Sequence, residues 1–462
     1  MRAVRATVPT GPTAAFMLLM LTLGMGRAQA ADRFVSPAGA DAANDCLSST
    51  SPCRSVEHAL GQAVGGDTVK LAAGDFEGAP IAASTNLVIS GGWSTDFAAQ
   101  DIAANETVVR STGQTFAISA VNSETINLTL DGLIMPTGTH GISVYVGGTV
   151  VLNLTVMRST IRRSRTNAIA IEAVGDSSVT VTVANSTVGQ AAAPSSGTAI
   201  TIYHFSSNPI TVNLLDSMIE RNRGAGVSLG ALTSQAHINV VGCTFFRNHS
   251  VGLLTFAQAG HVDLEIESSL FVRNKSRYDS GAVRVSGDNS VVAITNSTFV
   301  RNATRIATEY QSGALMIDSA GSVDVVNSTF WRNRAPLPRS GATSSAGVGV
   351  RFGTVALRNS IVWGNRYGVD LAGTNGAVIN ADHDDIGVSA LTGSSTLNDL
   401  GGNISTDPVL DDASRDPGGL HLTEGSPCID SGTCTGAPTT DFEGDPRPTG
   451  TGCDMGADEF VP

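Results

Sequence analysis

The stretch Asn296-Ser-Thr-Phe-Val-Arg-Asn302 decides the fold, because close copies of this repeat phrase recur along the chain. The other clear copies are Asp216–Asn222, Gly242–Asn248, Ser268–Asn274, Asn327–Asn333 and Asn359–Asn365. The closing asparagine returns after 26, 26, 28, 31 and 32 residues. A period of this length is typical of solenoids and related repeat architectures, in which each repeat is one supersecondary unit.

Strictly alternating apolar residues precede most copies of the repeat phrase. Val179, Val181 and Val183 alternate with threonines, and the run Val262–Glu267 behaves alike. A period of two residues indicates a half-buried strand with one face inward and one face outward. A second short strand, often opened by glycine, follows the closing asparagine, as at Gly281–Val285.

Several short strands per repeat with no helix between them exclude a βαβ layout. The simplest arrangement is a coil that stacks on the coil below it, so that each coil buries its apolar side chains only against its neighbours. We therefore predict an all-β fold, a single-stranded right-handed parallel β-helix (a solenoid) with an N-terminal helical cap and an irregular C-terminal cap. Differences in repeat length should fall in loops, for example Ala335–Ser345.

The closing asparagines have two predicted roles. Asparagine tolerates a left-handed backbone at low cost, which suits a sharp turn. Its amide can also bond the asparagines directly above and below, forming a ladder along the rod. The predicted ladder consists of Asn222, Asn248, Asn274, Asn302, Asn333 and Asn365.

The two ends of the chain differ from the repeats and set the predicted domain organisation. Residues 1–30 combine early arginines, an apolar run and a small-residue cleavage site, which is typical of a signal peptide. Residues 31–80 are predicted to form the N-terminal cap and residues 81–400 the β-helix coils. Residues 401–462, where Pro, Gly and Asp dominate, are predicted to form the C-terminal cap.

A short amphipathic helix is predicted inside the N-terminal cap. It extends over Ser55–Val64, with Ser55 as the N-cap and Val56, Leu60 and Val64 on one face. Such a cap would cover the exposed sheet edge at the end of the rod, where unpaired strands promote aggregation.

Composition limits what the protein can bind. The formal net charge of −13 argues against nucleic acid and anionic membranes as partners. No segment after the signal peptide is long and apolar enough for a transmembrane helix. We therefore expect an exported monomer, secreted or at the cell surface, whose mature chain has no integral membrane segment.

Six cysteines in an exported chain favour disulfides. Cys46 and Cys53 are predicted to pair across a polar loop. A second group lies within residues 428–453, and spacing alone leaves its pairing open. Cys243 stands alone in a strand and is interpreted as a small buried hydrophobic residue, because no base near it can be identified.

Two parts of the chain resemble bacterial β-helix families. The opening Phe34–Asp41, followed by Gly66–Leu71, resembles the entry cap of exported pectate-lyase-like β-helices. The Phe-x-x-Asn units resemble the repeats of polymorphic outer membrane proteins; their phenylalanines are Phe245, Phe271, Phe299 and Phe330. These resemblances imply a bacterial surface rod, for which adhesion is the commonest proposed role.

The tail closely resembles the choice-of-anchor Q domain. The matching stretches are Asn403–Leu410, Gly425–Gly432, Asp441–Pro448 and Asp454–Glu459. This resemblance implies that Cys434 pairs with Cys453 and that Cys428 is buried. No sorting motif or barrel-forming segment follows the Q-like region, so we expect release or association through another protein rather than a covalent or barrel anchor.

The fold alone does not imply a function, so the residues on its surface must indicate one. The strand that follows each closing asparagine is expected to present two outward columns. The first outward column is Ser143, Ala170, Thr201, Ser228, Leu254, Arg284, Met316, Gly349 and Asp370. The second outward column is Tyr145, Glu172, Tyr203, Gly230, Phe256, Ser286, Asp318 and Arg351. No two acids are adjacent in either column, which counts against a glycoside hydrolase and against a calcium-dependent polysaccharide lyase.

The second outward column contains a candidate ligand shelf of Tyr145, Glu172, Tyr203 and Phe256. Aromatic faces flanked by polar groups suit sugar rings or a protein partner. The alternative is ordinary side-chain stacking along a sheet, which the frequency of aromatic residues in strands favours.

Other chemistry-bearing residues are weaker candidates. His383, Asp384 and Asp385 offer a base and carboxylates in one run, but strand alternation would divide them between two faces. In the tail, the residues Asp430, Asp441, Arg447, Asp454 and Glu459 are interpreted as turn formers and ion pairs rather than as a calcium or catalytic cluster. We predict no cofactor and no metal site, calcium being possible but unsupported by any ligand motif.

The sequence thus predicts a binding or adhesion rod that contacts an extracellular glycan or a protein surface. Two alternatives remain: a polysaccharide lyase or glycosidase of the pectate-lyase-like fold, and a structural surface spacer. The residues lean against an enzyme.

Overall fold

Alternating sequence patterns become strands throughout the computed structural model, which describes residues 30–78, 81–82, 86–136, 138–192, 197–231, 234–257, 260–277, 280–287, 289–305, 311–336, 344–411 and 420–462. The predicted signal peptide, apart from its last residue, and most of the predicted loop Ala335–Ser345 lie outside the described residues. Within them, no helix is long and apolar enough to cross a membrane.

Three strands make up each typical coil, and every coil pairs in parallel with the next. Face 1 follows the closing asparagine. Its strands are Ile81–Ala82, Gln114–Ala120, His140–Val146, Ile169–Gly175, Ile200–Ser206, Val227–Ala231, Leu253–Ala257, Val283–Ser286, the first part of Leu315–Val326, the first part of Ser345–Arg358, Val369–Gly373 and Ser389–Leu391.

Face 2 precedes the repeat phrase. It includes the second parts of the two long strands, Leu315–Val326 and Ser345–Arg358. Its strands are Asp32–Val35, Thr68–Ala72, Leu87–Trp93, Thr125–Asp131, Val151–Met157, Ser178–Ala184, Ile210–Leu215, Ala236–Val241, Val262–Glu267, Val291–Thr295, Leu315–Val326, Ser345–Arg358, Val378–Asp382 and Thr396–Asp399. Faces 1 and 2 together form one 24-stranded sheet.

Face 3 lies within the repeat phrase itself and forms a 12-stranded sheet. Its strands are Gly74–Gly78, Thr107–Ser111, Ile134–Met135, Thr160–Arg162, Thr187–Gly189, Met218–Glu220, Thr244–Phe246, Leu270–Val272, Thr298–Val300, Thr329–Trp331, Ile361–Trp363 and Asp385–Ile386. A small sheet pairs Lys275–Ser276 with Ala303–Thr304. The predicted class, an all-β parallel solenoid, is confirmed.

One continuous core runs along the axis of the rod. In the strand Ser178–Ala184 the valines are buried and the threonines are half-buried, as the alternation predicts. The phenylalanines Phe245, Phe271, Phe299 and Phe330 stack inside face 3 with ring centroids 4.5, 4.9 and 4.5 Å apart and nearly parallel planes. Each coil therefore buries its apolar side chains against the adjacent coils rather than within itself.

The six closing asparagines form a continuous hydrogen-bonded ladder. In each step the Nδ2 of one asparagine donates to the Oδ1 of the next, from Asn222 to Asn365, over 2.8–3.1 Å. Asp370 ends the ladder by accepting from the amide of Asn365 at 2.8 Å. The buried amides also bond backbone carbonyls, such as that of Phe245.

The backbone of the turn differs from the expectation. The closing asparagines do not have positive φ; the preceding arginines do, as at Arg247 and Arg301 (φ 54° and 55°). Opening residues of the phrase, such as Asn296 and Asn327, are left-handed as well. The predicted left-handed closing asparagine is therefore wrong. Its side chain faces inward for the ladder, so the change in chain direction falls on the residue before it.

The N-terminal cap contains the helix Val56–Gln62, and the Oγ of Ser55 accepts from the backbone N of His58 at 3.2 Å. Val56 and Ala59 are buried. Val64 was expected on the apolar face of the helix, but it lies beyond the helix end and is exposed. The Cys46–Cys53 disulfide closes the loop that covers the edge of the first strand.

The described residues of the tail, 400–411 and 420–462, are irregular and pack along the side of the rod. Nδ2 groups of three opening asparagines donate to tail carbonyls: Asn296 to Thr440, Asn327 to Asp454, and Asn359 to Thr433, over 2.7–3.0 Å. Leu420 packs on the outward side of face 3 beside Val300 and Trp331. The tail therefore covers a flank of the solenoid, and Ile404 also pairs with the last strand of face 3 at Asp385.

Two cysteines pair in the tail, and two others are free. Cys434 and Cys453 form a disulfide. Cys243 and Cys428 are buried free thiols. Burial raises the pKa of Cys243 to about 12, so this thiol stays protonated and unreactive.

Candidate ligand-binding face

The shelf residues lie in one outward column on face 1. Parallel pairing places Tyr145 beside Glu172, Glu172 beside Tyr203, Tyr203 beside Gly230, and Gly230 beside Phe256. The three aromatic side chains are 42%, 54% and 47% exposed in chain order. These values are high for large apolar groups, so the rings present their surfaces to solvent.

Aromatic rings occupy every second rung of this column. Two rungs span roughly 10 Å along the rod, since neighbouring strands are about 4.8 Å apart. Gly230 leaves the rung between Tyr203 and Phe256 without a side chain, and the nearest Tyr203 atom, Cδ1, is 3.8 Å from where a Cβ would lie. The shelf therefore has an open slot between two exposed rings.

Phe205 extends the shelf and was missed in the sequence. Its ring is 44% exposed and stacks on that of Tyr203, with centroids 6.4 Å apart and planes inclined by 17°. The alternation Tyr203-His204-Phe205 carries the signal, because it continues the outward period by one more position.

The predicted outward columns are wrong at their C-terminal end. A register shift pairs Asp318 with Phe352 instead of Arg351, and Gly349 pairs with Ala372 instead of Asp370. Asp370 is buried at the end of the asparagine ladder rather than on the outward face. The alternation rule counts residues and cannot detect a bulge, which shifts every later position.

An ion-pair triad lies beyond the C-terminal end of the shelf. Asp318 lies between Arg284 and Arg351, with N–O distances of 3.0 Å to each, and its side chain is only 10% exposed. The described outward residues of face 1 include two acids, Glu172 and Asp318, and these lie far apart along the rod. No pair of carboxylates there has the spacing that glycoside hydrolysis needs.

The run around His383 does not form a shared cleft. Asp384 is buried and accepts from the backbone N of Ser360 at 2.7 Å, and burial raises the pKa of its carboxyl well above the usual range. Burial also raises the pKa of Asp385 to about 7, and this side chain faces the tail, where it contacts Cys428. His383 remains partly exposed and bonds Asp382 at 2.7 Å.

The tail carboxylates act as turn formers and ion pairs. Arg447 and Glu459 form a buried pair at 2.8 Å. Asp441 accepts from the backbone N of Glu443, Gly444 and Asp445, each at 2.9 Å. These carboxylate oxygens therefore already have hydrogen-bond donors within the chain.

His421 is the one imidazole among the described residues that lies between two carboxylates and could share a cation with them. Its Nδ1 is 3.0 Å from Asp458 and 3.5 Å from Glu443. The hydrogen bond to Asp458 raises the pKa of His421 to about 8. Where no cation is bound, this imidazole is therefore protonated at neutral pH and pairs with the two carboxylates.

A second surface beside the shelf is strongly basic and was missed in the sequence. Five arginines stand immediately before closing asparagines: Arg221, Arg247, Arg273, Arg301 and Arg332. The signal is visible in the repeat phrase, whose sixth residue is arginine in five of its copies. Averaging charge over the whole chain, which gives −13, concealed it.

The fold and these surfaces define a parallel β-solenoid with a long, open outward face. A solved structure described as pectate lyase Pel9A is similar to the chain, with a TM-score of 0.50 and 15% identity over 93% of this chain and 96% of that one. At this identity the likeness establishes the β-helix fold alone. No family model matches the chain, and no curated protein matches it either. The resemblances to polymorphic outer membrane proteins and to the choice-of-anchor Q domain stay predictions.

Proposed function

We propose that this protein is an exported rod that binds a glycan lengthwise on face 1 without cleaving it. The single observation that carries the proposal is the row of exposed rings at every second rung, Tyr145, Tyr203 and Phe256. Sugar rings pack on aromatic faces, and an interval of roughly 10 Å is comparable with the length of a disaccharide. Secretion or surface display of a monomer, through release or through association with another protein, belongs to the same proposal.

Binding is favoured over cleavage because the described part of face 1 offers no adjacent carboxylates. The polysaccharide lyase or hydrolase alternative draws support from the fold shared with pectate lyase Pel9A, but a fold does not carry chemistry. The spacer alternative leaves four large apolar side chains exposed on one face without a reason, and such patches mark interaction sites.

The test uses residues 31–462 on a panel of neutral and acidic polysaccharides, with and without calcium. We expect retention that weakens at least tenfold in the variant Tyr145→Ala/Tyr203→Ala/Phe256→Ala. The matched control removes three other exposed apolar side chains, Val388→Ala/Leu400→Ala/Val461→Ala, and should bind like the parent chain. New reducing or unsaturated ends would overturn the proposal, as would retention of no glycan at all.

A further inference from the structure

A basic stripe follows one edge of the rod, where the chain leaves face 3 and turns towards face 1. We define the stripe by two positions in each coil, the residue before and the residue after the closing asparagine. Its members are Arg221, Arg223, Arg247, His249, Arg273, Lys275, Arg301, Arg332, Arg334 and Arg366. The same edge continues towards the N-terminus with Arg163 and Arg165, which hold the equivalent turn.

The backbone fixes the alignment of the stripe. Each arginine before a closing asparagine has a left-handed φ, between 53° and 57°. Successive members bond the next coil in the same way, as Arg221 N to Phe246 O and Arg247 N to Val272 O. After the asparagine, Arg334 bridges in parallel to Arg366. Positive side chains therefore recur at intervals of about 4.8 Å on one edge.

Outward aromatic residues of face 3 orient part of the stripe. The guanidinium of Arg247 lies 4.8 Å from the ring centroid of Phe246, and that of Arg332 lies 3.9 Å from Trp331. A guanidinium stacked on a ring keeps its charge, so Arg247 remains a cation on this edge of the rod. Arg221 has an acidic neighbour, Glu220, at 3.3 Å.

The stripe and the shelf are two sides of one surface. An open groove is lined on one side by Arg221, Arg223 and Arg277 and on the other by Ser228 and Leu254. The last two belong to the first outward column of face 1, whose neighbouring column carries the rings of the shelf. A single chain lying along the rod can therefore contact both sides.

We infer that the bound polymer is an acidic polysaccharide, whose carboxylate or sulfate groups contact the basic stripe while its rings lie on the shelf. This inference deepens the proposed function and rests on it. Arginine binds such anions through paired hydrogen bonds, and a line of cations favours an extended polyanion over a small one.

The test compares alginate, heparin, neutral dextran and single-stranded DNA as probes for residues 31–462. We expect alginate or heparin to bind best, with affinity that falls as salt rises, because exposed charges are screened. Alginate distinguishes carboxylate from the sulfate of heparin. Equal binding of dextran would overturn the inference, and so would tighter binding of DNA than of either acidic glycan.

Two charge variants locate the site. Arg223→Gln/Arg247→Gln should weaken binding of the preferred acidic glycan about tenfold and flatten its salt dependence. Arg54→Gln/Arg110→Gln removes the same charge from the N-terminal end, away from the stripe, and should change affinity less than twofold. Unfolding temperatures equal to that of the parent chain would show that both variants fold.

The outcomes separate this inference from the proposed function. If the stripe variant binds like the parent while the shelf variant loses binding, the inference fails and the proposed function stands. If the stripe variant loses binding while the shelf variant does not, the proposed function of the shelf fails, and the inference fails with it.

Discussion

Single buried polar residues decide how the interior of this rod responds to pH. His204 points into the core at a position where the neighbouring coils carry Ala173 and Ala231, and it is fully buried. Its Nδ1 lies 3.0 Å from the Oγ of Ser234. Burial lowers the pKa of His204 to about 4, because a charged imidazole is poorly solvated there.

Stability should therefore decline in acid. The folded pKa of His204, about 4, lies below the unfolded value of about 6.5. The contribution is complete above pH 6.5 and is lost as pH falls towards 4, by up to about 3 kcal/mol. Denaturant unfolding between pH 4 and 7 measures it. His204→Leu should flatten this part of the profile, whereas the control His249→Gln, at an exposed site, should not; an unchanged profile in His204→Leu contradicts the assignment.

Asp384 has a structural role at the end of a line of serines, in which the backbone N of one donates to the Oγ of the next, as Ser297 to Ser328 and Ser328 to Ser360. Its carboxyl accepts from the backbone N of Ser360 and Asp382 at 2.7 and 2.9 Å. Asp384→Ala leaves the buried N–H of Ser360 and the partly buried N–H of Asp382 without acceptors and should lower the free energy of unfolding by about 2–4 kcal/mol. Asp384→Asn keeps one acceptor oxygen and should cost clearly less. Equal losses in the two variants, measured by chemical unfolding, would contradict this role.

At the scale of elements, stability depends on which side of a strand a ring occupies. Phe299 stacks between Phe271 and Phe330 inside face 3 and is fully buried. Phe256 lies outward on face 1. The two rings belong to the same residue type but lie in opposite environments, one in the core and one in solvent.

Truncation of the two rings should therefore differ sharply. Phe299→Ala opens a cavity in the stack and should lower the free energy of unfolding by about 3–5 kcal/mol. Phe256→Ala removes a surface ring and should change it by less than about 0.5 kcal/mol. Because neighbouring coils depend on each other, the loss in Phe299→Ala should appear as earlier unfolding of the adjacent coils in hydrogen exchange. Similar losses in both variants would refute the inward stack.

On the scale of the whole molecule, the tail is attached to the rod by contacts between distant parts of the chain. Asn296 and Thr440 are 144 residues apart, and Asn327 and Asp454 are 127 apart. Within the tail, His421 bonds Asp458, and this bond raises its pKa to about 8. The tail therefore has its own pH response, opposite in sign to that of His204.

Docking of the tail should weaken in base. The folded pKa of His421, about 8, exceeds the unfolded value of about 6.5. Its stabilisation is complete below pH 6.5 and is lost as pH rises through 8. Solvent screening of this partly exposed pair keeps the effect small. Hydrogen exchange at residues 420–422, corrected for intrinsic rates, should rise between pH 6.5 and 8.5 in the parent chain and stay level in His421→Gln. A parallel rise in both would exclude His421 as the cause.

Much of the candidate site could be predicted from the sequence, and the errors of that prediction have identifiable causes. Tyr145, Glu172 and Tyr203 fall in one column because alternation within strands and a regular repeat together define the outward positions. The projection fails at Arg351 and Asp370, where a register shift alters the count. The basic stripe was present in the repeat phrase but was outweighed by the net charge of the chain.

The amino-acid pattern alone determined that this chain stacks as a parallel solenoid, because strand period, turn residues and repeat length are local properties repeated coil after coil. It also determined the ladder of closing asparagines. Only the tertiary structure decided the left-handed arginines, the register shift at Asp318 and the position of the tail on face 3. These features depend on contacts between residues far apart in sequence, whose geometry no local period encodes.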